Sequence, residues 1–133
     1  MQVILSRFPN QVFLMAALSI QERKRLRQIG HALNPVVMIG GQGLTENVIE
    51  EINRALNDHE LIKVKIAGED RDVRQAVIEA IVESTTAEAV QKIGKIVLLY
   101  KKAAKQNQHL SNLVRFAHLS NSYSNGKLRT HRL

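Results

Sequence analysis

Apolar and polar positions alternate with two different periods along the middle of the chain, and the changes between them mark the elements. Leu26, Ile29 and Leu33 recur at spacings of three and four, the stripe of an amphipathic helix. Ser19-Ile20-Gln21-Glu22 is a capping box that opens this helix, and Asn34-Pro35 stops it, since proline disfavours α geometry in the residue before it. Val36-Val37-Met38-Ile39 reads as a buried strand. Val48, Ile49, Ile52, Ala55 and Leu56 then form the apolar stripe of a second helix over 46–57, whose outer face carries Glu46, Glu50 and Glu51. From Leu61 to Ala67 the period drops to two. Ile62, Val64 and Ile66 share one face, and Lys63 and Lys65 share the other with Leu61. This strand is expected to pack helices on one side and leave an open, basic surface on the other. Gly68-Glu69-Asp70 leads into a third helix with a core stripe of Val73, Val77, Ala80 and Ile81, ended by Ser84-Thr85-Thr86. Two final runs, 90–93 and 96–101, flank Gly94-Lys95 and predict a hairpin.

The predicted order is therefore α-β-α-β-α-β-β. Strand–helix–strand units favour parallel pairing with right-handed crossovers, and the hairpin adds an antiparallel pair. The fold class is α/β, a two-layer sandwich with a four-stranded mixed sheet. Outside residues 16–102 the pattern lapses. Residues 1–15 read as an N-terminal extension, with Met15 as a candidate natural start. Residues 103–133 are rich in Asn, Ser, Gln, Lys and Arg and read as a basic, mobile tail, with a short helical turn near Leu110, Leu113, Val114 and Phe116.

Charge changes this picture more than composition does. The net charge is +7 over 133 residues. All 12 acidic residues lie between Glu22 and Glu88, whereas residues 89–133 hold nine Lys or Arg and no acid. Such asymmetry points to a polyanionic partner, nucleic acid before membrane, beside the plainer reading of a solubilising tail. With no cysteine, thiolate metal sites, disulfides and cysteine nucleophiles are excluded. No apolar run approaches the ~20 residues that span a bilayer. His31, His59, His109, His118 and His131 show no metal-binding spacing, and His59 in Asp58-His59-Glu60 reads as a polar helix end. No nucleophile–base pair stands out, so no catalytic residue, metal or cofactor is expected.

The remaining motif is Gly40-Gly41-Gln42-Gly43-Leu44-Thr45. Three glycines in four positions make a turn without side-chain bulk, and Thr45 can cap the helix that follows. A bare loop at a helix N-terminus offers backbone N–H groups to a phosphate. The same turn is also compatible with a plain β–α connection that binds nothing. It lacks the Lys-Ser/Thr of a nucleotide-hydrolysing P-loop. With no charge of its own, it must rely on neighbours for attraction. Arg23, Lys24 and Arg27 on the first helix are the first candidates, and Lys63, Lys65 and Lys95 the second.

Taken together, Pro35–Gly40 with Gly43-Leu44-Thr45-Glu46, then His59–Ile66, then Ile93-Gly94-Lys95 and Val97–Tyr100, resemble the CRM domain family, in its stand-alone bacterial YhbY type. The resemblance spans about residues 16–102. It implies an RNA-binding fold like the C-terminal domain of translation initiation factor 3, with a KH-like GxxG loop at Gly40 and Gly43. It also implies a cytoplasmic, non-enzymatic, monomeric protein that binds ribosomal RNA in precursors of the large ribosomal subunit and serves in ribosome biogenesis. Many relatives carry a basic residue between the two glycines, where this chain has Gly41-Gln42. Tyr100 is the only aromatic within 16–102, so readout by aromatic stacking is not expected. The competing reading is a protein–protein adaptor whose basic face binds an acidic partner and whose glycine loop is purely structural.

Overall fold

The structure, a computed structural model, describes residues 18–119. Its elements are α1 (Ile20–Gly30), β1 (Pro35–Ile39), α2 (Glu46–His59), β2 (Leu61–Ile66), α3 (Arg71–Thr85), β3 (Glu88–Ile93), β4 (Ile96–Tyr100) and a short α4 (Asn112–Arg115). The strands form one sheet in the order β1-β2-β4-β3. β1 and β2 run parallel, and β4 is antiparallel to both β2 and β3. The α/β fold class and the mixed four-stranded sheet are thus those expected from the sequence.

Local chemistry sets the helix starts. Ser19 Oγ accepts from the Glu22 N–H, and Glu22 Oε1 accepts from the Ser19 N–H, each at 3.0 Å. Thr45 Oγ1 accepts from the Val48 N–H at 3.2 Å, and Asp70 Oδ1 caps α3 through Asp72 and Val73. Such caps satisfy N–H groups that have no helical partner, typically worth ~1 kcal/mol each.

Burial on the two sheet faces then divides the core. On one face Val37, Ile39, Ile62, Val64, Ile66, Val97 and Leu99 pack beneath Ile52 and Leu56 of α2 and Ile78 and Ile81 of α3. Each such side chain contributes about 1.5–3 kcal/mol relative to exposure. On the other face Leu61, Leu98 and Val90 meet Leu26 and Ile29 of α1, with Leu113 and Phe116 alongside. The face expected to be open and basic is therefore roofed at one end.

Four expectations need correction. α1 ends at Gly30, before Asn34-Pro35, with His31 as its C-cap. Gly30 is where α1 presses on β4: an added Cβ would lie 2.8 Å from Leu98 Cδ2. The stripe of α3 is rotated: Ile78 and Ile81 are buried but Val73 is 59% exposed. Residues 71–73 are exposed, and Ile78 is the first buried position of the helix. β1 is covered on one face only, so Val37 and Ile39 beneath α2 are buried, while Val36 and Met38 on the other face are exposed. Finally, residues 103–119 pack back onto the domain, where a mobile tail was expected from residue 103.

That return is organised by Glu60, a buried carboxylate between α2 and β2 that is 2% exposed. It accepts from the Ala103 N–H at 2.8 Å, Gln106 Nε2 at 2.7 Å and Ser111 Oγ at 2.8 Å, and its backbone carbonyl accepts from the Lys101 N–H. Asn112 Nδ2 adds a bond to the Leu61 carbonyl at 2.7 Å. Composition marks this segment as polar, but its polar groups are spent on the domain. Expectations for 1–17 and 120–133 lie outside the described residues.

Candidate nucleic-acid interface

The parallel β1–β2 pair and the β3–β4 hairpin bring three connections to one end of the sheet. These are the turn after β1, the Gly68-Glu69-Asp70 link after β2, and Gly94-Lys95. Ala67 N–H donates to the Ile39 carbonyl, and Ile66 N–H donates to that of Lys95, which ties the three together.

In the turn, the Gly43 N–H closes onto the Gly40 carbonyl at 3.0 Å. Gly43 has φ +77°, a left-handed conformation that favours glycine. Gly40 and Gly41 differ from it. Neither lies in the left-handed region, and an added Cβ at either would meet nothing within 4 Å. Internal packing therefore does not require glycine at these two positions. What their bareness provides is room for a close approach from outside. The amides of Gly41 and Gln42, and of Glu46 and Asn47 in the first turn of α2, have no partner among the described residues. Those of Glu46 and Asn47 lie at the positive end of the α2 macrodipole, which favours an anion beside the turn. Leu44 packs against the main core and anchors the turn from below.

The basic residues divide into groups. Arg23 is engaged within the fold: Nη2 pairs with Glu88 at 3.0 Å, and Nη1 donates to the Val90 carbonyl at 3.2 Å. It ties α1 to β3. Lys95 likewise pairs with Glu69 at 3.1 Å, and that hydrogen bond, followed by the Lys95 charge, holds the Glu69 carboxyl below its usual value. Lys24 is exposed on α1 and Arg27 half-buried beside it. Lys65 is exposed on β2 and Lys63 half-buried.

Strand register explains the state of those lysines. Met38 pairs with Lys65, Lys65 with Ile96, and Ile96 with Ile93, forming one row across all four strands nearest the glycine turn. The next row holds Lys63, Leu98 and Gln91, and the last holds Leu61, Tyr100 and Glu88. α1 and α4 cover the last row, cover the middle row partly, and leave the first open. Met38 is 65% and Ile93 63% exposed. Tyr100 is half-buried, and burial, then the Glu60 and Glu22 charges, push its phenol above its ordinary value. It is packing, not a stacking platform.

Residues missed from the sequence include the apolar ends of the open row and a cleft where Arg71, Arg74 and Lys92 approach Gly94. Arg74 Nη1 donates to the Gly68 carbonyl at 2.6 Å, and Lys92 Nζ donates to Gln75. No local signal marks Met38, because Val36-Val37-Met38-Ile39 is apolar throughout and reads as buried on both faces. His59, read as a polar helix end, is the last residue of α2, and its Nδ1 lies 2.9 Å from the Leu110 carbonyl. No group of three potential metal ligands occurs among the described residues, and no described helix is long and apolar enough to cross a membrane.

Comparisons with known proteins agree with this architecture. A family profile described as the CRS1 / YhbY (CRM) domain matches residues 18–101. A Haemophilus influenzae protein named "RNA-binding protein" is 55% identical over 87 residues, covering 65% of this chain and 88% of its own length. A Pseudomonas aeruginosa protein named "Probable RNA-binding protein" is 48% identical over 101 residues, covering 76% of this chain and 97% of its own. A solution structure of a Staphylococcus aureus protein superposes with a TM-score of 0.60 at 32% identity, over 71% of this chain and 98% of that one. The chain belongs to the CRS1 / YhbY (CRM) domain family.

Proposed function

We propose that this chain is a non-enzymatic RNA-binding protein whose contact surface centres on the Gly40–Gly43 turn. The observation that carries the reading is the pairing of unpartnered amides with two glycines that internal packing does not require. A phosphodiester fits both features: it accepts from N–H groups and needs a close backbone approach. Lys24, Arg27, Lys63 and Lys65 supply the long-range attraction that the uncharged turn lacks. Arg23 and Lys95 contribute less, because each is already paired with a carboxylate. The names of the relatives support RNA as the polyanion.

The finer reading is ribosomal RNA in precursors of the large subunit, bound in the cytoplasm by a monomeric assembly factor. Crosslinking in cells followed by sequencing of the attached RNA tests it. Enrichment of large-subunit ribosomal RNA is expected, and a spread over unrelated transcripts would overturn the assignment. Filter binding across salt tests the electrostatic part: log affinity should fall linearly with log salt. Retention on ribosomal particles after RNase treatment would instead favour a protein adaptor.

A further inference from the structure

The open row of the sheet bears on what form of RNA is held. It is both apolar and basic, which a surface for phosphate alone does not need. Between it and the C-terminal end of α1 lies a recess of about 250 Å³, lined by Gly30, His31, Lys63, Gln91, Ile93 and Ile96. That is below the ~300–1,000 Å³ of clefts that enclose whole small molecules, and has room for one flat heterocycle. Its aliphatic lining comes from Ile93, Ile96 and the buried Leu98. Gln91 places an amide, with both donor and acceptor, in its wall. Lys63 and His31 also line it, Lys65 lies in the same row as Ile96 and Ile93, and no carboxylate lines it. Met38, which closes the row on the β1 side, is two residues from Gly40, or about 7 Å along an extended chain.

We propose that this recess receives an unpaired nucleobase of an RNA whose backbone is held at the Gly40–Gly43 turn, so that the protein selects RNA with a single-stranded or looped segment over continuous duplex. The inference rests on the RNA-binding reading and adds the form of RNA to it. A base within a duplex has its faces stacked and its pairing edge occupied. An unstacked base can lay its face on Ile96 and Ile93 and offer its edge to Gln91. The neighbouring phosphates then lie over Lys63 and Lys65. Charge complementarity favours this occupant over a second copy of the chain. In a two-fold pairing through this face, the two basic patches would be brought together with no carboxylate in the recess to offset them.

The test measures anisotropy for a single-stranded RNA containing a fluorescent adenine analogue, and for the same strand annealed to its complement. The proteins are wild type and Ile93→Ala/Ile96→Ala, which trims the two isoleucines that the base would lie on. Ile93 is exposed and Ile96 half-buried, so the variant should fold, and circular dichroism checks that it does. Wild type is expected to prefer the single strand by about tenfold and to change the analogue's emission. The double variant should lose about five- to tenfold on the single strand, the apolar contact of roughly one base face, with its duplex affinity and salt slope unchanged. Equal wild-type affinity for both forms, or an unaltered single-strand affinity in the variant, would overturn the inference while leaving RNA binding intact. Absence of any wild-type RNA binding would overturn both readings. A concentration-dependent dimer in sedimentation that the variant abolishes would assign the face to a second copy instead.

Discussion

Replacing Glu60 with glutamine tests how the segment after β4 is held. The carboxylate accepts from three donors, with Gln106 and Ser111 on one oxygen and the Ala103 N–H on the other. Glutamine keeps the shape but converts one of these oxygens into a donor. With its NH2 toward Ala103 it sets one N–H against another; with its NH2 toward Ser111 and Gln106, both groups must turn round to accept, Gln106 gives up its bond from Gln108, and Ala103 keeps only a neutral acceptor. Ala103 and Ser111 are buried, so water does not take over their bonds. Loss of a bond to a charged acceptor, plus one unsatisfied buried donor, amounts to about 2–4 kcal/mol. The backbone adds to this dependence. Glu60 has φ 64°, an unfavourable conformation for a side-chain-bearing residue, of order 1–3 kcal/mol, held in place by these contacts. Hydrogen exchange is the direct assay: protection of the Ala103 amide should fall by at least about thirtyfold in Glu60→Gln, with smaller losses in β2 and β4. The pH dependence has a definite sign. Burial pushes the Glu60 carboxyl up, but the bonds from Gln106, Ala103 and Ser111, with the Lys102 charge, outweigh it and hold the group below its ordinary value. A lowered folded value means stabilisation that is complete above the unfolded pKa and lost as pH falls through the folded one. Wild type should therefore lose Ala103 protection on acidification, and Glu60→Gln should not show that step. A variant with wild-type protection, or the same acid step in both proteins, would refute the reasoning.

Other substitutions separate structural from binding roles. Gly30→Ala should destabilise the domain by about 1–2 kcal/mol in urea unfolding, because overpacking against Leu98 exceeds the gain in helix propensity. Gly43→Ala should cost about 1 kcal/mol for its left-handed φ, whereas Gly41→Ala should leave stability within about 0.5 kcal/mol. Lys24→Ala/Arg27→Ala should lower the slope of log affinity against log salt by about 1–2 units. Arg23→Ala should change that slope less and instead reduce stability by about 1 kcal/mol, as its Glu88 pair and carbonyl bonds are lost.

Much of the fold was legible because each element carries local signals that agree. The Ser19–Glu22 box, the Thr45 cap, the alternation of β2 and the Gly94 turn all appear where periodicity and capping chemistry place them. The sequence shows less of whatever depends on a distant partner. Nothing local reveals that Gly30 must be small, since the reason is Leu98 of β4. Glu60 looks like one more loop acid until Ala103, Gln106 and Ser111 return to it. The polar run after 102 resembles a tail because its hydrogen bonds are made to Glu60 and Leu61, far back in the chain. The site divides the same way. The glycine turn is a local motif and was visible. The pairing of Arg23 with Glu88 and of Lys95 with Glu69 needed the fold, as did the row that joins Met38 to Ile93.

The most direct measurement is RNA affinity of Gly40→Asp at matched salt, with urea unfolding of the same preparation. The Gly40 Cβ position is open, so stability should stay within about 1 kcal/mol of wild type. A carboxylate set among the amides that receive phosphate should lower RNA affinity at least tenfold through repulsion and lost approach. A folded Gly40→Asp protein that binds RNA as wild type does would contradict a site centred on the turn.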